Sequence, residues 1–404
     1  MTHFLRIGLI FLASILTSAA LADVGPALSG ITARNNDASS VFWSPAGITR
    51  IDQPELLLDT AMVYMSSKFE VEETNRTGGD AAFDGTALLV PGMYYAKPLN
   101  ERTTAGFSLT APGGFGNDYG KSWSGRYLTE KTQLAFMALT FTLGYKLTDQ
   151  WSIGGGPIFM YVHSKSQARV NNLIGPDGKA RITESGFGLG GQIGLMYDIS
   201  DTARVAMVYR TPFSPDLSGT PRFWDINPVL GEAIKSKDLH LKGINVDLNV
   251  PQTAQLGYFK EFNNGWSFTL DAVWLDTSEF QIEHISIGEE GISIPATFKD
   301  NWSFSAGLRY EYQPDRAFVA GASYTTSAAR DSDRTLALPL DRVIAVGAGL
   351  EFKWKDFEVH TSVNYADLGD NNIDQDGGLL RGRVKGSFGY YHAVVVDLQL
   401  IKRF

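Results

Sequence analysis

Residues 301–324, NWSFSAGLRYEYQPDRAFVAGASY, decide the fold. Trp302, Phe304, Ala306, Leu308, Tyr310 and Tyr312 share one face of an extended chain. Asn301, Ser303, Ser305, Gly307, Arg309 and Glu311 share the other. Gln313-Pro314-Asp315-Arg316 turns the chain, and Phe318, Ala320, Ala322 and Tyr324 resume the oily face. Period two sustained over a dozen residues describes a strand with one apolar and one polar side. The strands exceed the ~9–11 residues that cross a bilayer when tilted.

The same design recurs outward from this hairpin. Leu256, Tyr258 and Phe262 turn at Asn263-Asn264-Gly265 into Trp266, Phe268, Leu270, Ala272 and Trp274. Ile344 to Trp354 turns at Lys355-Asp356 into Phe357 to Tyr365. Three further hairpins turn near Asn100-Glu101, Thr148-Asp149-Gln150 and Ser200-Asp201. The links between hairpins are longer and more polar, as in Gly113–Lys131 and Phe213–Lys242. Tight turns at one end and long loops at the other are the pattern of outer-membrane barrels. Six hairpins, with a first strand near Glu55–Phe69 and a last near Val384–Phe404, predict an all-β transmembrane antiparallel barrel of about fourteen strands. Closure removes the free edges that lipid does not tolerate. Trp151, Trp266, Trp302 and Trp354 are expected near turns, and Trp274 and Tyr324 towards loops, as interfacial girdles. A soluble β-sandwich is the competing architecture, but its strands are shorter.

Composition bounds the same answer. The 404 residues are 44% hydrophobic and 12% aromatic, with 42 glycines, and mean hydropathy is -0.09. Beyond the N-terminus no stretch approaches the ~20 apolar residues of a membrane helix. A net charge of -9 without a basic stripe argues against nucleic acid as a partner. The absence of cysteine removes thiol chemistry, disulfides and cysteine-held metals. The histidines His163, His240, His284, His360 and His392 are scattered without ligand spacing, and no G-x-S-x-G elbow occurs. Neither a catalytic group, nor a metal, nor a cofactor is therefore expected. A barrel enzyme acting on lipids would need a Ser–His or Asp–His set converging at one end, and nothing in the sequence selects one.

Residues 1–22 read as a cleaved signal peptide: Arg6, the apolar run Ile7–Leu16, then Ala20-Leu21-Ala22 before the cut. Residues 23–54 do not alternate and are expected to form a compact plug, with residues 55–404 as the barrel around it. Within the plug, Ser44-Pro45 reads as the start of a short helix: serine caps and proline fits the first turn, with Gly47 soon ending it.

Ala38-Ser39-Ser40-Val41-Phe42-Trp43-Ser44-Pro45-Ala46-Gly47 resembles the hatch segment of the FadL/TodX family of outer-membrane fatty acid and hydrocarbon transporters. That segment centres on Asn-Pro-Ala in the family, and Ser44 here replaces the Asn. Trp123-Ser124-Gly125-Arg126-Tyr127, Val250-Pro251, Trp274-Leu275-Asp276-Thr277-Ser278 and Pro339-Leu340-Asp341-Arg342 support the resemblance by their order and spacing. The resemblance implies a fourteen-strand barrel, a hatch in which Phe42, Trp43, Ser44, Pro45, Ala46 and Gly47 gate, and an inward kink in the third strand through which substrate leaves sideways. Pro112, Gly113, Gly114 and Phe115 are the candidate kink, since proline removes a ladder hydrogen bond and glycine permits a break. An ordinary strand end at the loop is the alternative there.

An apolar lumen suits a lipid-like passenger, whereas a water-filled porin has a polar one. Phe136, Met196, Phe259, Val273, Leu275 and Val343 are the inward apolar positions expected to line the path; packing against the plug would serve equally. The inward charges Arg309, Glu311, Asp271 and Asp397 either pair across strands or meet a carboxylate head group. The function expected is passive transport of long-chain fatty acids or similar hydrophobic compounds, with a non-specific diffusion porin as the alternative. The expected partners are that small hydrophobic substrate, outer-membrane lipids and lipopolysaccharide, and the barrel-insertion machinery reading the C-terminal Phe404.

Overall fold

In the computed structural model, residues 30–404 are described except 35–36, 86, 237–243, 280–281, 288–289, 295–297, 338 and 340; the expected signal peptide lies outside them. Fourteen antiparallel staves close into one barrel. Eight staves are single strands: β1 (Glu55–Thr74), β4 (Thr103–Asp118), β5 (Lys131–Lys146), β6 (Trp151–Val170), β7 (Gly178–Ser200), β16 (Arg316–Thr325), β17 (Val343–Trp354) and β20 (Arg383–Arg403). Six are broken into two pieces: β2 (Ala81–Asp84) with β3 (Leu88–Pro98), β8 (Ala203–Arg210) with β9 (Asp216–Trp224), and β10 (Ile244–Leu248) with β11 (Thr253–Glu261). The others are β12 (Trp266–Leu275) with β13 (Ile282–Ile287), β14 (Glu290–Ile294) with β15 (Asn301–Gln313), and β18 (Phe357–Asp367) with β19 (Ile373–Asp376). The wall closes where β1 pairs with β20, from Glu55↔Arg403 to Thr74↔Val384.

Alternation places the oily set outside, as in β5, where Met137, Phe141, Leu143 and Tyr145 are exposed and Phe136, Ala138, Thr140 and Thr142 are buried. The tight turns use left-handed residues, with Asp315 at φ 59°, Lys355 at φ 54° and Gly265 at φ 81°. Such turns match the twist of the strands they join. Aromatics pair across staves at the turn end: Trp151 meets Tyr197 at 4.6 Å and Trp266 stacks on Tyr310 at 4.6 Å. Trp302, expected near a turn, instead lies at the loop end, in register with Trp274. It is the second residue of a strand entered from the loop, so the turn is a full strand away.

Much of what reads as loop is strand. β1 runs to Thr74, β4 to Asp118, β7 begins at Gly178, and β9 occupies Asp216–Trp224 within the long link Phe213–Lys242. These extensions leave the lipid zone, so neither face is consistently apolar and the period-two signal disappears. A helix, α2 (Pro228–Ser236), follows β9, and a one-turn helix, α3 (Gly378–Arg381), separates β19 from β20.

Candidate functional site

The N-terminal segment lies against the inner face of the wall. Its one-turn helix α1 (Ser40–Trp43) precedes Ser44 and Pro45 instead of starting at them, and a 3-10 turn spans Gly47–Arg50. The residue before proline is pushed out of the helical region. Ser44 accordingly sits at φ -149°, ψ 79° and ends α1. Its hydroxyl donates to the Thr32 carbonyl at 2.8 Å, tying the two ends of the segment together, so it caps no helix.

The wall meets this segment's backbone with inward side chains from several staves. The Val41 carbonyl accepts from Thr142 Oγ1 at 2.7 Å and from Gln192 Nε2 at 2.6 Å. Arg210 donates to the Phe42 carbonyl at 2.7 Å while its guanidinium lies 4.8 Å from the Phe42 ring and 5.7 Å from the Trp43 ring. Arg204 donates to the Ala33 carbonyl at 2.6 Å, and Asp271 accepts the Thr32 N–H at 3.1 Å. Arg50 pairs with Asp198 at 2.9 Å and Arg34 pairs with Glu351. Phe42 and Trp43 meet edge to face at 4.9 Å. Each neutral hydrogen bond of this kind is worth about 1 kcal/mol net, and each to a charged group about 1.5–3. Pro45 and Ala46 sit directly on wall glycines: a Cβ on Gly154 would lie 2.0 Å from the Pro45 oxygen, and one on Gly194 would lie 2.9 Å from Pro45 Cγ. Two glycines, one on β6 and one on β7, form the seat. That pairing joins positions remote in sequence.

An apolar cluster continues upward from the segment. Val41, Phe42 and Ile48 belong to one buried group with Phe136, Ile158, Phe213 and Leu217. Of the six expected path residues only Phe136 is in this group. Met196 and Phe259 pack with Ala33 and Ala46 at the base, and Val343 belongs to a third cluster with Val395 and Phe388. Val273 and Leu275 are buried but belong to none of the three. Ile158, Phe213 and Leu217 escaped the sequence reading. Ile158 follows a run of glycines that masks the alternation, and Phe213 and Leu217 lie where the strand pattern breaks. The inward charges Arg309 and Glu311 pair with each other at 3.1 Å, and Arg309 pairs with Glu351 at 2.7 Å.

The third stave does not end at Thr110. β4 continues through Pro112, Gly113, Gly114 and Phe115, and its register with β5 slips between Thr110 and Gly113, so Ala111 and Pro112 form a bulge. Beyond it Gly113 faces Phe136. On the opposite side the β3–β4 ladder joins Met93–Pro98 to Thr104–Leu109 and stops. Among the described residues Thr110–Asp118 has no ladder partner on that side, which leaves a breach in the wall above Leu109. The N-terminal segment packs just below it: a Cβ on Gly106 would come within 2.5 Å of Val41 Cγ2.

Among the described residues no cluster of three or more His, Asp or Glu could hold a metal ion. A closed fourteen-stave barrel with an oily outer belt and an apolar cluster inside defines an outer-membrane protein for hydrophobic cargo. The chain belongs to the outer membrane protein transport protein family (OMPP1/FadL/TodX), whose model matches residues 13–404. Its place is the outer membrane of a Gram-negative bacterium. It is 23% identical over 384 residues to the long-chain fatty acid transport protein of Escherichia coli (strain K12), covering 85% of this chain and 84% of that protein. It is 21% identical over 376 residues to outer membrane protein P1 of Haemophilus influenzae, covering 79% and 80%. The fold is that of a Pseudomonas aeruginosa FadL homologue, with a TM-score of 0.85 at 19% identity over 97% of this chain and 100% of that one. It also matches the Pseudomonas putida toluene transporter TodX, with a TM-score of 0.67 at 16% identity over 92% and 95%.

Proposed function

We propose that this chain carries long-chain fatty acids or similar hydrophobic compounds passively across the outer membrane. Residues 23–54 act as the hatch and residues 55–404 as the wall. The observation that carries the reading is the breach above Leu109, which lies beside the Phe136–Phe42 apolar cluster and just above the contact of Val41 with Gly106. Cargo captured by the segments 119–130 and 225–236 beyond the strand ends enters the apolar cluster. Binding shifts the hatch residues Phe42, Trp43, Ser44, Pro45, Ala46 and Gly47 between two arrangements, which requires that cargo bind one of them better. Cargo then leaves sideways past Pro112–Phe115 into the membrane. The bulge spreads β4 and its glycines carry no side chains to obstruct the gap. Phe404, exposed after β20, is assigned to recognition by the insertion machinery, and the oily belt to membrane lipids and lipopolysaccharide.

The test is uptake of a radiolabelled long-chain fatty acid by cells lacking their own transporter. Uptake is restored by this chain and falls on deleting Pro112 alone, the one residue by which β4 exceeds β5 there, which removes the bulge. An inserted barrel that restores no uptake of fatty acids, alkanes or aromatic hydrocarbons refutes the reading. A large steady ion current in planar bilayers would favour a diffusion porin instead.

A further inference from the structure

The wall has a second breach, on the far side of β6 from the first. β7 pairs with β9 through Lys179–Ser185 and with β8 through Gln192–Ser200. Gly186–Gly190 belongs to neither ladder, although β6 pairs along its whole other edge. Gly191 and Thr211 exchange hydrogen bonds, N–H to Oγ1 at 2.9 Å and N–H to carbonyl at 3.0 Å. Strand alternation therefore points the N–H and C=O groups of Leu189 and Phe187 to the same side. Both lie outside the ladders there. This edge is at lipid depth: outward along β7 run Phe187, Leu189, Ile193, Leu195 and Tyr197, with Ser185 and Thr183 above. Backbone left unpaired against lipid costs several kcal/mol per group, and irregular backbone persists at that depth only where protein or a cavity covers it.

The neighbouring stave has moved inward. A Cβ on Gly188 would lie 3.4 Å from Pro215 Cβ, and one on Gly190 would lie 2.5 Å from the Phe213 ring. The segment between β8 and β9 thus closes the breach from the lumen side, with the buried Phe213 in the gap. Phe213 and Leu217 belong to the same apolar cluster as Phe42 and Phe136. Glu184, one inward position above Gly186, is buried with Oε1 unpartnered. Retraction of the stave also exposes the outer residues. Phe187 is 77% exposed and Leu189 65%, whereas outward large apolar residues on the other described strands reach at most 57%, with one exception. The exception is Leu89, at 65%, which borders the first breach.

We propose that the gap between β7 and the β8–β9 stave is a second lateral portal, gated by Phe213, through which a hydrocarbon or neutral amphiphile passes between lumen and lipid. The proposal rests on the reading that apolar cargo occupies the lumen. A buried acid at the upper end disfavours an anionic head, and Oε1 offers an acceptor to a hydroxyl. The portal is closed in this structure and opens when Phe213 swings off Gly190.

The test uses Gly188→Cys with Pro215→Cys in a chain that has no other cysteine. The 3.4 Å separation is about 0.1 Å short of the range of about 3.5–4.5 Å between the Cβ atoms of a disulfide, a gap that a small backbone shift closes. A diazirine-bearing long-chain alcohol is photolysed with the purified barrel in lipid vesicles. The expected result is adducts on Phe213, buried in the gap, in the wild-type and reduced proteins and their loss on oxidation, whereas Leu189, which faces lipid, is labelled in every state. In cells, oxidation roughly halves uptake of the same long-chain alcohol, radiolabelled, if the two breaches share the flux, and reductant restores it. Phe213→Ala, which opens the gap without a crosslink, raises uptake. Absence of those adducts, or uptake indifferent to oxidation in a chain whose wild type transports, overturns the portal. A wild-type chain that restores no uptake while these adducts form refutes the transport reading and leaves the portal standing.

Discussion

Gly154→Ala tests whether the N-terminal segment is seated as described. The added Cβ would stand 2.0 Å from the Pro45 oxygen, 2.4 Å from its carbonyl carbon and 2.8 Å from the Ala46 nitrogen. All three are backbone atoms, so no side-chain rotation relieves the contact. The Pro45–Ala46 peptide must retreat by about 1.4 Å to reach ordinary contact at 3.4 Å. Overpacking of this kind costs about 1–3 kcal/mol. Against it stand the two donors on Val41, the Arg210 and Arg204 guanidiniums, and the Arg50–Asp198 pair. At about 1 kcal/mol for a neutral bond and 1.5–3 for a charged one, these together exceed the penalty. The segment is therefore loosened and not expelled. Hydrogen exchange at the amides of Trp43, Gly47 and Ile51 should accelerate between about 5- and 150-fold, since 1.4 kcal/mol is a factor of ten. The barrel should keep its heat-modifiable mobility, and bilayer conductance should stay low. Gly116→Ala, whose Cβ meets nothing nearer than 3.5 Å, serves as the control. Exchange within about twofold of wild type in an intact barrel would mean that Pro45 does not rest on Gly154.

Arg210→Ala removes both the donor to the Phe42 carbonyl and the cation beside two rings; Trp43 fluorescence should shift and exchange at Phe42 and Trp43 should rise by about tenfold or more, reflecting a loss of about 2 kcal/mol. Arg381, in the short helix α3, is buried, which lowers its pKa to about 10, and donates to the Tyr127 and Leu128 carbonyls at 3.0 and 3.1 Å. Arg381→Ala should expose the 119–130 link to limited proteolysis while leaving the barrel folded. Asp374, on β19 outside the membrane zone, accepts a hydrogen bond from Arg383 at 2.7 Å, which holds its carboxyl below 3.8. A carboxyl depressed in the folded state contributes stability above its unfolded pKa and loses it as pH falls through the folded one. Protection of Ile373–Asp376 should therefore be constant from neutral pH down to about 3.8 and fall below that, and Asp374→Asn should abolish the dependence.

The sequence by itself determined the barrel. Alternation in Asn301–Tyr324 and its repeats sets one face to lipid because a strand's side chains alternate strictly and lipid accepts no polar face. The turns, the even number of staves and most of the aromatic belt follow from the same local rule. It also marked Phe42–Gly47 as the stretch that is not wall. The tertiary structure decided what depends on pairing between distant segments. That Ser44 ties back to Thr32 follows from contacts across the folded segment, whereas its ending of the helix follows from the proline beside it. The seat of Pro45 on Gly154 and Gly194 joins the N-terminal segment to two staves far along the chain from it. The breaches at Leu109 and at Gly186–Gly190 exist because one stave's register slips or its neighbour steps inward, and neither event alters the composition of the strand that loses its partner. The strand extensions were hidden for a related reason: above the membrane both faces meet water or protein, so backbone pairing continues after the hydrophobic period has ended.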